Sequence, residues 1–73
     1  MEKKRNAIVA FIDKCHIDKY GLAELSGLSK WTLAQKLRGA DRYNLTESDI
    51  DLIRIAVAKI ANDADDLIAA LRA

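Results

Sequence analysis

One local pattern occurs three times in this sequence: an apolar residue, a short polar residue, and a second apolar residue four positions beyond the polar one. The triples are Ile17, Asp18 and Leu22; Leu28, Ser29 and Leu33; and Leu45, Thr46 and Ile50. Asp, Ser and Thr accept hydrogen bonds from amides left unpaired in the first turn of a helix. The flanking apolar pair closes over the cap as a hydrophobic staple and fixes the angle at which the chain enters. Asp49, three residues after Thr46, adds a shortened capping box to the third start. A cap is worth about 1 kcal/mol, which weighs heavily in short helices.

The rest of the chain agrees with helices. It has no proline, three glycines and no strand-like alternation, and it is rich in Ala, Leu, Ile and Lys. The fold class expected is all-α: a compact five-helix domain spanning residues 1–73, with helices over about residues 3–16, 19–26, 30–38, 47–61 and 64–72. No internal repeat, low-complexity segment or linker-length gap divides it.

A chain of 73 residues buries only about 60% of its unfolded surface, leaving little room for an enclosed active site. The longest apolar run near the start covers residues 7–12, too short for a membrane span or the apolar stretch of a signal peptide. A cytoplasmic protein with no membrane partner is expected. Cys15 and His16 are the single cysteine and histidine, so an internal disulfide is impossible and a thiolate or imidazole zinc cage lacks ligands. Adjacent helical residues do not face one another, so these two form no nucleophile–base dyad. Cys15 extends the apolar face of Ile8, Phe11 and Ile12 and is expected to be buried, with His16 at the surface. The acidic residues of segment 62–66 lack the glycine and spacing of a calcium loop and read as capping at the start of the fifth helix. With no convergent acid, base or nucleophile, the expectation is a binding module, not an enzyme, with no cofactor, metal or small-molecule substrate.

Net charge is +1, but it is unevenly spread. Residues 1–45 hold nine Lys plus Arg against five Asp plus Glu, and residues 46–73 hold three against six. A cationic half beside an acidic half suggests one surface that faces a polyanion.

The second and third helices are the informative pair. Gly27 follows the second, where glycine takes a left-handed backbone without a Cβ penalty. Only two residues separate Ser26 from Ser29, so the two helices meet steeply, as a helix-turn-helix. Residues 17–39 resemble the helix-turn-helix core of the phage lambda-repressor and Cro-like DNA-binding family. Ala23 takes the place of the small packing residue, Gly27 the turn glycine, and Leu22, Leu28, Leu33 and Leu37 the apolar core positions. Leu45 and Thr46 look like the start of the family's fourth helix. Lys36 departs from the pattern where many members carry an aliphatic residue, and Leu37 is expected to supply that contact. The resemblance implies sequence-specific binding of double-stranded DNA by a small prokaryotic or phage transcriptional regulator, with the third helix in the major groove.

On that helix, with Leu33 at zero and about 100° per residue, Leu37 falls near 40°, whereas Arg38, Trp31 and Gln35 fall near 140°, 160° and 200°. The outward side is the candidate reading face. Gln35 suits an adenine edge, and Trp31 a thymine methyl or the sugar edge. Ser29 and Lys30 lie at the leading turn, within reach of bases or phosphates. Each has an ordinary alternative: Trp31 packing back over Lys19 or Tyr20, Gln35 a solvated helix residue, Arg38 a favourable charge at a helix C-terminus.

Phosphate contacts are assigned to Lys19, Thr32, Arg38, Arg42 and Tyr43, the last two in a loop that the resemblance implies runs along the sugar-phosphate chain. The role of Lys19, at the first position of the second helix, is implied by the resemblance, and the amides and dipole of that helix start favour an anion there. Tyr43 serves equally as a ring capping the core, and Asn44 as neutral loop chemistry. Lys3, Lys4 and Arg5 form either an arm or first turn touching phosphate, or a frayed, solvated terminus.

The fourth helix carries Ile50, Ile53, Val57 and Ile60 on one stripe, with Leu52 and Ile55 outside it. Together with Leu67, Ile68 and Leu71 these two are either covered by the fifth helix or form a homodimer contact. A symmetric dimer would place two recognition helices about 34 Å apart on a near-palindromic site. The rival to DNA binding is a helix-turn-helix fold used as a protein–protein interaction module, with Trp31 buried by a partner.

Overall fold

The computed structural model describes residues 2–39 and 44–72, and every element is an α-helix: α1 (Glu2–Cys15), α2 (Lys19–Ser26), α3 (Lys30–Arg38) and α4 (Glu47–Arg72). The three predicted starts are capped as expected. The Tyr20 amide donates to Asp18 Oδ1 at 3.0 Å, and the Thr32 amide to Ser29 Oγ at 3.4 Å. Thr46 and Asp49 form a reciprocal box, with the Asp49 amide on Thr46 Oγ1 at 3.1 Å and the Thr46 amide on Asp49 Oδ2 at 2.9 Å.

The stops share one geometry. Gly27 follows α2 with φ 78°, and the Leu28 amide reaches back to the Ala23 carbonyl at 3.0 Å. Gly39 ends α3 with φ 75°. His16 adopts the same left-handed state, φ 55°, after α1, with the Ile17 amide on the Ile12 carbonyl at 3.0 Å. The chain turns away at His16, so Cys15 is exposed, contrary to the burial expected from its place on the apolar face of α1.

The core joins Ile12 of α1, Leu22 and Ala23 of α2, Leu33 and Leu37 of α3, Leu45 ahead of α4, and Ile53 and Ala56 of α4. Ala23 is fully buried, which lets α2 approach its neighbours closely. Helix α2 packs on both α3 and α4, and α1 packs on α3.

Four helices replace the expected five. The fourth does not stop at residue 61 but runs unbroken through Asn62, Asp63, Asp65 and Asp66 to Arg72. Asp and Asn lower helix propensity by only a fraction of a kcal/mol each, and no Gly or Pro interrupts the alanine-rich run. The last part of α4, residues 61–72, therefore projects from the body, and the molecule measures 49 × 21 × 18 Å. A fifth helix folded back over Leu52 and Ile55 is excluded. Among the described residues no helix is long and apolar enough to cross a membrane.

Candidate nucleic-acid interface

Helix α3 is nine residues long and is held from below. Leu33 and Leu37 are buried, as their common angular position requires. Its other side faces outward: Trp31 is 57% exposed, Lys30 and Arg38 are exposed, and Gln35 and Thr32 are half-buried. Ser29 caps the helix with its hydroxyl and is itself exposed.

Helix α2 brings a further cation and a further aromatic ring beside this face. Lys19 is exposed at the first position of α2, and Tyr20 next to it is 57% exposed. The Lys30 ammonium lies 5.6 Å from the centre of the Tyr20 ring, close enough for a cation–π attraction that draws the start of α3 toward the start of α2. Lys19 and Arg38 line one cleft with Val9, Asp13 and Leu37. The two helix starts thus present Lys19, Tyr20, Lys30 and Trp31, with Arg38 at the other end of α3. Arg42 and Tyr43 lie outside the described residues. Asn44 is exposed.

Two contacts that orient α3 join residues distant in sequence. Lys36 Nζ lies 2.6 Å from Asp49 Oδ2, and both side chains are mostly buried. Burial pushes the Asp49 carboxyl up, but the Lys36 ammonium and the hydrogen bonds from Thr46 outweigh it and hold the group below the usual carboxylate range. Lys36 therefore locks α3 to the capping box of α4, while Leu37 is buried in the core. A lysine beside the buried leucine row, and an acid that also serves as a cap, were the available signals.

The second is Arg5, whose guanidinium packs directly over Gly39, in the space a Cβ there would occupy. Arg5 also pairs with Glu2 at 3.7 Å, and Lys4 with Glu47 at 3.6 Å. Residues 2–5 are the first turn of α1, the form expected as the alternative to an arm, and Lys3 and Lys4 are exposed on it. Leu52 and Ile55 are 37% and 66% exposed, on the side of α4 away from the Ile53 row.

Comparison with models of protein families, with curated proteins and with solved structures finds no match for this chain.

Proposed function

We propose that α2 and α3 act as a helix-turn-helix that binds double-stranded DNA in a sequence-specific manner, with α3 in the major groove. The protein would serve as a small transcriptional regulator of prokaryotic or phage type, an attribution resting on the lambda-repressor and Cro-like resemblance of residues 17–39. The observation that carries the reading is the two-sidedness of α3: leucines sealed beneath, and an indole, two cations and an amide turned outward or half-outward. Gln35, Trp31, Lys30 and Ser29 are the base-reading candidates. Lys19, Thr32 and Arg38, with Arg42 and Tyr43, are the phosphate contacts.

The competing reading is a protein-interaction module, favoured by the net charge of only +1. Titration with a random-sequence duplex at low and moderate salt separates the two. Binding that weakens steeply with salt is expected, because each phosphate contact releases counterions. Binding indifferent to salt, or none, overturns the DNA reading.

A further inference from the structure

Because α4 is one continuous helix, its apolar row does not end with the domain. Ile50, Ile53, Val57 and Ile60 are followed at the same three-and-four spacing by Ala64, Leu67 and Leu71. The first part of the row lies in the body, with Ile53 buried. The last part lies on the projecting tip, where residues 61–72 are exposed all round, Leu67 at 59% and Leu71 at 75%. Where the row meets α1 it forms an apolar groove of about 300 Å³, floored by Ile8, Ile50, Ile53 and Val57 and edged by Lys4 and Arg54. One molecule thus displays a matching ridge and groove. Its own ridge cannot fill its own groove, because the ridge continues the same helix that forms one wall of the groove.

We infer that the tip of α4 docks in the α1–α4 groove of a second copy of this chain, antiparallel to the partner's α4, and that the exchange is reciprocal. A two-fold arrangement satisfies both ridges and both grooves at once and closes without leaving an open end. The exposed area is large for the mass. The chain exposes 5407 Å², whereas a folded monomer of 8.1 kDa is expected to expose about 4,500 Å². The surplus, about 900 Å² per copy, is the area that an uncovered, projecting helix end adds. Charge also matches in sign: the tip carries Asp63, Asp65 and Asp66 against one Arg72, and the groove is edged by cations. Lys4 and Arg54 now pair with Glu47 and Asp51, which are exposed and exchangeable. No α3 residue lines the groove, so the contact leaves the proposed reading face open.

Sedimentation equilibrium of the full chain without DNA, across micromolar to millimolar concentrations, tests the inference. A reversible dimer is expected, and the double variant Leu67→Asp, Leu71→Asp is expected to be monomeric with the thermal transition of the body retained. A nitroxide on Ala70→Cys in a Cys15→Ser background, mixed with isotope-labelled unmodified chain, should broaden the amides of Ala7, Ile8 and Ile50 in the labelled copy. A monomer at every concentration, a dimer unaffected by the double variant, or broadening confined to residues 61–72 or to the surroundings of Leu52 and Ile55 would overturn it. No nucleic acid is present, so the outcome is independent of the DNA reading: a monomer that binds duplex removes only this inference, and a dimer that does not removes only the other.

Discussion

Asp49 does two things with one carboxylate: it closes the capping box of α4 by accepting from the Thr46 amide, and it anchors Lys36 of α3. Replacing it by Asn keeps part of the cap but leaves a mostly buried ammonium without its counter-charge. Asp49→Asn should cost about 2 kcal/mol in urea denaturation at neutral pH. The sign of the pH dependence follows from the lowered pKa. The stabilisation is fully present above the ordinary carboxylate pKa of roughly 4 and is lost as pH falls through the lower folded-state value. The difference between wild type and variant should therefore narrow in acid; a constant gap would show that the pair contributes nothing. The two left-handed glycines separate strain from crowding in a similar way. Gly27→Ala meets nothing within 4 Å and should cost about 1 kcal/mol for its positive φ alone. At Gly39 the atoms in the way are the Arg5 guanidinium, the far end of a flexible side chain that can swing aside, so Gly39→Ala should cost about as much as Gly27→Ala, and Arg5→Ala should change that cost little in a double-mutant cycle.

At the scale of elements, the starts of α2, α3 and α4 were legible because capping is chemistry between near neighbours. The outward side of α3 was legible because two leucines four residues apart fix its phase. What escaped depends on contacts distant in sequence, or on a break that did not occur. Lys36 and Asp49 are thirteen positions apart, and nothing local pairs them. The acidic segment at 62–66 looked like a helix start because acids favour that position, yet the same residues are tolerated mid-helix when alanines flank them. His16 fills a left-handed position usually given to glycine, so the end of α1 carried no glycine signal, and Cys15 was placed in a core that α1 has already left. Burial divides the helices into unequal parts. Leu33→Ala should cost about 3 kcal/mol, while Leu67→Ala in dilute, monomeric solution should shift stability by less than about 0.5 kcal/mol. Comparable losses at both sites would mean that the tip is covered within the monomer.

For the whole molecule, the test of the proposed function is how binding changes with sequence and salt. Gln35→Ala should lose about 1–3 kcal/mol on a preferred duplex and relax selectivity there, whereas Lys19→Ala should weaken all duplexes alike and reduce the salt slope by about 1. Selection from a random DNA pool followed by titration of both variants would measure this, and the reverse pattern would overturn the assignment of roles. The unbroken α4 has a mechanical corollary. Its first turn is clamped to α3 through Asp49 and Lys36, and its far end moves as part of the same rod, so the bearing of that far end is geared to the bearing of Trp31 and Gln35. Adding a single alanine after residue 61 would rotate everything beyond it by about 100°, and adding seven would return it to within about 20° of its original heading. Phase along this axle, more than reach, would then govern how two such molecules can be aimed at once.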